Sequence, residues 1–375
     1  MKYRFVVFLG MFLSMQVYAQ QKTPIWKKLH PDSLVNLNLK VLPVPVASYS
    51  PETGLSVGFN LSYFFNAGDS GAKATTRNSL AGLEFRYTSR KQTTIQANWS
   101  IYTNKEQFFI NGATGFADFY ERFWTLSTPA GDNDRFRELQ YYRTYFRNTF
   151  AKNLGKQSFL GFALNYNRIT NMRLSGDTSI KINNIPGANG STVFGLGPVL
   201  LLDHRDNQFS PSSEAWYAAF NALFYLNALG GQYTFQQYNI DLRQYNVIKA
   251  TNGLLCFQAV GNFGSGEIPL VEKSRLGSNM IMRGYFQGRF RDNQLLAAQV
   301  EYRQPLGRFL MLAAFMSAGQ TAPSLSSMRM NNMESAAGGG VRVLLNKAKK
   351  IYARIDVGYT RLGNFGFYAR LGDAF

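Results

Sequence analysis

Cysteine, histidine and long apolar runs are all scarce in this 375-residue chain. The single cysteine, Cys256, excludes an internal disulfide and a cysteine-based metal site. The two histidines, His30 and His204, lie in no recognisable nucleophile or metal arrangement, so we expect no catalytic residues, no metal and no cofactor. Beyond the first twenty residues, no segment has the roughly 20 consecutive apolar residues that a transmembrane helix needs.

The chain begins with a segment typical of a secretory signal peptide. In "MKYRFVVFLGMFLSMQVYAQ", Lys2 and Arg4 precede an apolar run that is too short to span a bilayer, and small residues lead up to Ala19. We therefore predict a signal peptide at 1–19 and export of the rest of the chain. The exported part divides into a short periplasmic leader at 20–40, which is either an amphipathic plug or unstructured, and a domain at 41–375.

Apolar residues are abundant but distributed, since they make up 45% of the chain and include 31 Phe and 21 Tyr. In "GLSVGFNLSYFFN" every second residue from Leu55 to Phe65 is apolar, and "KIYARIDVGYT" repeats the pattern with Arg354 and Asp356 on the opposite face. Such period-two stretches of about 10 to 13 residues are longer than the strands of soluble sandwiches, which average about 5 to 6. They match strands that cross an outer membrane at a tilt, with the apolar face toward lipid.

Sixteen such segments predict an all-β fold, a 16-stranded antiparallel transmembrane β-barrel. The predicted strands are 41–49, 54–66, 78–88, 92–103, 107–117, 139–152, 158–170, 191–203, 214–226, 232–246, 252–264, 294–303, 308–319, 336–346, 350–360 and 364–375. An even number puts both ends of the barrel on the periplasmic side. The long connections 118–138, 171–190, 265–293 and 320–335 are then extracellular, and the periplasmic connections are mostly short, as in outer-membrane barrels.

The first and last predicted strands meet at the seam of the barrel. In "NFGFYARLGDAF" alternate residues from Phe365 onward face outward, and Phe375 is expected in the aromatic girdle at the membrane interface. The first strand, 41–49, contains Pro43 and Pro45, which cannot donate ladder hydrogen bonds. We therefore expect few hydrogen bonds across the seam, which makes it a candidate lateral gate.

A basic, glycine-containing stretch, "MIMRGYFQGRFRDN", interrupts the strand pattern inside the loop 265–293. It precedes the segments "QLLAAQVEYRQPL", "FLMLAAFMSAG", "SAAGGGVRVLL" and "KIYARIDVGY". Upstream, "GPVLLLDHRDNQFSPSSEAWY" has Asp203, Arg205 and Asp206 between two strands, and "PVPVASYSPETGLSVGF" reads as the first hairpin. This order resembles the BamA/TamA outer-membrane assembly family, also called the bacterial surface antigen family, over about residues 41–375.

The resemblance implies a role for each matching residue. By position, Arg283 corresponds to an arginine of the sixth outer loop that folds back into the lumen as a lid, Gly284 to the residue that allows the tight turn, and Tyr285 to the aromatic residue of the motif. Glu301, inward-facing on the strand 294–303, corresponds to a carboxylate partner. Independently of the family, a guanidinium in a partly dehydrated lumen needs a carboxylate, which its planar fork fits.

Other matches to the family are less complete. Asp203, Arg205 and Asp206 match its periplasmic turn, and Arg370, Gly372 and Phe375 match its C-terminal signal for the assembly machinery. Where the family has Phe-x-Asp-x-Gly, this chain has Ser317 in place of the acid. Because serine cannot neutralise a cation, we expect the lid to be held more weakly or by another acid.

The resemblance favours a barrel in the outer membrane of a Gram-negative-type bacterium that assists protein insertion or export. Family members with this activity usually carry POTRA domains, and 20–40 is too short for one, so we expect a separate periplasmic partner and client outer-membrane proteins. We also expect contacts with outer-membrane lipid and lipopolysaccharide. The net charge of +18 would suggest nucleic acid for a cytosolic protein, but an exported barrel argues against it. A passive anion-favouring channel and a structural or surface-interaction barrel remain the alternatives.

Overall fold

Sixteen strands close into one antiparallel barrel in the part of the chain that the structure describes. The structure is a computed structural model, and it describes residues 41–68, 76–124, 126, 135–207, 210–346 and 350–375. The predicted signal peptide and leader lie outside these residues. Among the described residues, none of the helices has the length and apolar character of a membrane span.

Strands account for most of the described chain, and four short 3-10 helices lie in its connections. The strands are β1 (Val41–Ser50), β2 (Gly54–Phe65), β3 (Ser79–Thr88), β4 (Thr93–Tyr102), β5 (Phe108–Phe123), β6 (Arg137–Gly155), β7 (Ser158–Gly176), β8 (Ser191–Asp203), β9 (Ala215–Tyr225), β10 (Phe235–Ile248), β11 (Gly253–Gly266), β12 (Ser274–Leu276), β13 (Phe290–Asp292), β14 (Gln294–Leu306), β15 (Leu310–Ala322), β16 (Glu334–Asn346), β17 (Ile351–Thr360) and β18 (Phe365–Leu371). The 3-10 helices are Asn104–Glu106, Asn227–Leu229, Leu325–Ser327 and Met330–Asn332.

The predicted antiparallel barrel of sixteen strands is confirmed. Each wall strand pairs with its neighbour in sequence, except that β11 pairs with β14, because β12 and β13 form a separate two-stranded hairpin inside the loop between them. The period-two pattern sets the two faces of the wall. On β2, for example, Leu55 and Val57 are exposed on the outer face and Ser56 is fully buried.

Strands β5, β6 and β7 are longer than predicted. The ladder between β5 and β6 continues to the pair Phe123 and Arg137, and that between β6 and β7 continues to Arg137 and Gly176. Cross-strand contacts such as the Tyr120 hydroxyl donating to Glu138 at 2.6 Å stabilise this extension. The predicted outer loop 118–138 is correspondingly shorter.

The end of the chain departs from the prediction. Strand β18 stops at Leu371, and Gly372, with a φ of +86°, turns the following residues away from the wall. Phe375 is buried in an apolar cluster with Tyr245 and Cys256 inside the barrel, so its predicted place in the interfacial girdle is wrong. The physical reason is charge: Arg303 pairs with Asp373 at 3.3 Å and donates to the backbone oxygen of Phe375 at 3.0 Å.

The seam between β1 and β18 is sparsely paired, as the two prolines of β1 predict. Within the described residues, the two strands register through one pair, Tyr49 with Ala369, whereas β1 and β2 register over ten pairs. The closure of the barrel therefore depends less on backbone hydrogen bonds here than at the other strand pairs.

The outward face can be tested by charge. Ile355 lies at the middle of β17 and is 49% exposed on the outer face. We expect Ile355→Arg to lower the free energy of unfolding in lipid vesicles by about 2 to 4 kcal/mol, and Leu306→Arg, at the end of β14, by about 0 to 1 kcal/mol. Denaturant titration of the folded barrel measures both. Equal costs would contradict the assignment of the outer face to lipid.

Candidate functional site

The loop between β11 and β14 folds inward, and we call its residues 267–293 the lid. Its hairpin of β12 and β13 registers Arg275 opposite Arg291. An apolar cluster joins the lid to the wall and consists of Leu276, Met282, Tyr285, Phe290, Leu295, Ala297 and Ala336. The first four of these belong to the lid and the last three to β14 and β16, so the lid is packed against the inside of the barrel.

Arg283 joins the lid to two carboxylates of the wall. Its side chain is fully buried, and its Nη2 lies 2.6 Å from Glu301 while its Nη1 lies 2.8 Å from Asp356. The guanidinium carbon stands 3.4 Å from the centre of the Phe315 ring, a distance that allows a cation–π interaction. The structure thus places Arg283 against Glu301, the expected partner, and against a second carboxylate.

Asp356 is the other acid that the sequence left unidentified. It lies on β17, with its side chain inward and buried, and it takes the second edge of the Arg283 guanidinium. Ser317, at the family's acid position, instead donates from its hydroxyl to the backbone oxygen of Ala336 at 3.4 Å. The signal in the sequence was the alternation "ARIDVG", which puts Asp356 on the inner face.

The two carboxylates also serve other arginines. Glu301 lies 2.7 Å from Arg303 and 3.2 Å from Arg342. Asp356 lies 2.5 Å from Arg342 and 3.4 Å from Arg354. A third carboxylate, Asp373, lies 3.3 Å from Arg303 and 3.5 Å from Arg342. We call Arg283, Arg303, Arg342 and Arg354, together with Glu301, Asp356 and Asp373, the lumenal charge network. In the described ranges, no group of His, Cys, Asp or Glu side chains could hold a metal ion.

Three glycines allow the lid backbone to touch the wall. Gly284 has a φ of +118°, which L side chains rarely adopt. A Cβ added at Gly358 would lie 2.2 Å from the backbone oxygen of Arg283, and one added at Gly366 would lie 2.9 Å from the Cα of Gly284. The amide of Gly284 also donates to the Tyr368 hydroxyl at 3.0 Å. Small residues on β17 and β18 therefore set how deeply Arg283 reaches.

Tyr285, the next residue of the motif, is held by two contacts with β16. Its hydroxyl donates to Glu334 at 2.9 Å and lies 3.0 Å from the backbone oxygen of Ser335. Burial raises the pKa of Tyr285 above its usual value, and the hydrogen bond to Glu334 raises it further. The phenol therefore keeps its proton at neutral pH and remains a donor.

A second anchor holds the lid nearer its base. Arg275 and Arg291 both lie 2.8 Å from Glu121, which is almost fully buried near the end of β5. Sequence reasoning missed Glu121 because that residue fell inside the predicted outer loop 118–138. The lid is thus tied to distant parts of the wall, to β5 through Glu121 and to β14 and β17 through Glu301 and Asp356.

The remaining predicted residues fall in two places. Arg370 joins the lid, because its Nη1 donates to the Asn279 side chain at 2.8 Å. Asp203, the last residue of β8, pairs with Arg205 at 2.8 Å, and Asp206 pairs with Lys350, which precedes β17, at 2.9 Å. The three residues of the turn motif therefore do not contact Arg283.

Removing both partners of the Arg283 contact tests its coupling. Arg283→Ala and Glu301→Ala should each lower the free energy of unfolding by about 3 to 5 kcal/mol, because each leaves buried charge uncompensated. The double variant should cost less than the sum by about 0.5 to 3 kcal/mol. Denaturant titrations of all four proteins measure the coupling, and strict additivity would contradict a direct energetic contact.

The close approach of the lid gives a second test. Gly358→Ala should destabilise the barrel by about 1 to 3 kcal/mol or displace the lid, because the added methyl overlaps Arg283. Gly339→Ala is the matched control, since its Cβ meets only the Ala313 oxygen at 3.3 Å. Unfolding titrations and protease cleavage of the lid report the two effects. If the two variants behave alike, the lid is not seated against β17.

Comparisons with known proteins agree with this architecture. The sequence model of the Omp85 superfamily domain matches residues 45–375. Among curated proteins, none matches the chain by sequence.

Solved structures share the fold at low sequence identity. BamA from Haemophilus ducreyi lacking POTRA domains 1-3 superposes with a TM-score of 0.60 at 11% identity, over 88% of this chain and 70% of that one. CdiB from Acinetobacter baumannii gives 0.57 at 11%, over 89% and 60%, and CdiB from Escherichia coli gives 0.58 at 9%, over 88% and 62%. The chain thus spans less than two thirds of either CdiB. With the family match covering nearly the whole barrel, the chain belongs to the Omp85 superfamily, whose members are outer-membrane barrels.

Proposed function

We propose that this barrel inserts or exports proteins at the outer membrane, and that the seam between β1 and β18 opens during that work. The observation that carries the proposal is the single registered pair across the seam, Tyr49 with Ala369, in a wall whose other strand pairs are extensively registered. A client strand could pair with the exposed edge of β1 or β18, because an unpaired strand edge is a template for strand addition.

The lid supports this proposal over a passive pore. Arg283, Arg275 and Arg291 fasten the loop to the wall through buried carboxylates, so the lid lies in the lumen instead of leaving a wide channel. In the proposal, the lumenal charge network holds the resting state, and work on a client displaces the lid or opens the seam.

A separate periplasmic partner is the finer part of the proposal. On the predicted periplasmic side, exposed cations lie in the described turns at Lys105, Lys156, Lys249 and Arg308, and near the end of β6 at Lys152. Such a surface suits an acidic partner that delivers clients, because complementary charge speeds encounter and orients the two proteins. Contact with anionic lipid headgroups would use the same residues.

A disulfide across the seam tests the function. Tyr49 and Ala369 face each other, so cysteines at both positions lie within reach of a disulfide in a background of Cys256→Ser. The oxidised Tyr49→Cys, Ala369→Cys protein in lipid vesicles should lose its acceleration of the folding of a small client barrel, and reduction should restore it. The control pair, Leu83→Cys with Ala97→Cys, links β3 to β4 and should have no effect.

Two outcomes would overturn the proposal. One is full acceleration by the oxidised seam variant. The other is a steady conductance through the wild-type barrel, unchanged by the seam disulfide and without any effect on client folding, which would instead favour the passive channel.

A further inference from the structure

A trench of small side chains crosses the outer face of the wall. Its floor is the row Ala259, Ala298, Ala318 and Ser335, which are direct partners across β11, β14, β15 and β16. Around Ala298, Ala318 and Ser335 the trench has a volume of about 670 Å³, and past Ala298 it continues into a second groove of about 420 Å³ that contains Ala259 and extends to β9. Larger side chains border this row of small residues, so the trench is a local depression.

Large apolar side chains border the floor. Phe257, Met316 and Tyr359 line one side, with Met316 60% exposed. Leu296, two residues before Ala298 on β14, is exposed on the same face. The lining is almost entirely apolar. Because the wall faces lipid, the material available to fill this depression is hydrocarbon.

One end of the trench carries a positive charge. The backbone of Arg361 donates to Ser335, the last residue of the floor, at 3.0 Å. Its guanidinium is held by Glu334 at 2.8 Å, but the acid is 1% exposed and the arginine side chain is 53% exposed. Arg361 is therefore the exposed member of the pair, and it lies beside the ends of β16 and β17 that are predicted to be extracellular. From Ala259 to Arg361 the row crosses four strand spacings, roughly 19 Å at about 4.8 Å each.

We propose that the trench binds an acyl chain of an anionic lipid of the outer leaflet, whose phosphate lies against Arg361. The apolar floor and walls accept the chain, and the single cation at the outer end selects the headgroup. The length of the row suits a saturated chain lying across the strands. The site does not depend on the proposed insertion activity, since it lies on the opposite face of the wall from the lid.

Native mass spectrometry of the whole chain in mild detergent tests the site. The probes are dimyristoyl phosphatidylglycerol and dimyristoyl phosphatidylcholine, which share their acyl chains and differ in charge. The wild type should retain one phosphatidylglycerol more tightly than any other lipid. Ala298→Phe fills the trench and should weaken both lipids about tenfold, a loss of about 1.4 kcal/mol. Ala314→Phe, on the same outer face of β15 but outside the trench, should leave binding unchanged.

Arg361→Gln separates the headgroup from the chain. It should reduce the preference for phosphatidylglycerol over phosphatidylcholine by about two- to fivefold, the range of an exposed ion pair, and leave phosphatidylcholine binding as in the wild type. Heat-modifiable migration on gels verifies that each variant is folded. The proposal fails if Ala298→Phe binds like the wild type, if the Ala314→Phe control loses as much, or if Arg361→Gln keeps the full preference. A dimer that Ala298→Phe abolishes would assign the trench to a second copy instead.

Discussion

An arginine buried inside a barrel has to be neutralised, and this requirement at Arg283 organises the site. The cost of removing a guanidinium from water is several kcal/mol, and only a well-placed carboxylate offsets it. Here Glu301 and Asp356 take two edges of the group while the Phe315 ring covers its face. The lid therefore has a defined position in the lumen, and the contacts of Arg283 link β14, β15 and β17.

The same carboxylates connect the lid to the end of the chain. Arg342 contacts Glu301, Asp356 and Asp373, so it lies between the residues that hold Arg283 and the segment that turns inward after β18. If the lid moved away, Glu301 and Asp356 would lose the positive charge of Arg283 and Arg342 would face two carboxylates alone. If the segment after β18 moved away, Arg342 would lose the negative charge of Asp373. The lid and the last residues of the chain are thus held by the same charge network.

Much of this arrangement was legible in the sequence, because a barrel wall has the simple period of two. Alternation located all sixteen strands and put Glu301 and Asp356 on the inner face. It could not locate Glu121, since the ladder of β5 and β6 continues beyond the apolar segment that marks the membrane. Nor could it find the inward turn of Phe375, because an aromatic residue at a strand end satisfies the girdle pattern equally well. Glu121 is held by Arg275 and Arg291, and Phe375 is held by Arg303. These arginines come from distant parts of the sequence, so the alternation within one strand does not reveal either contact.

The register at the seam shows which residues of β1 the end of the chain would meet if it stayed in the wall. If β18 continued straight in the register of Tyr49 with Ala369, Asp373 would stand opposite Pro45 and Phe375 opposite Pro43. Neither proline has an N–H group, so the ladder there would be incomplete. Inside the lumen the same segment meets Arg303 and an apolar cluster. In the described part of the chain, the edge of β1 that faces β18 therefore registers with no strand near the prolines, and an open strand edge is a template for strand addition.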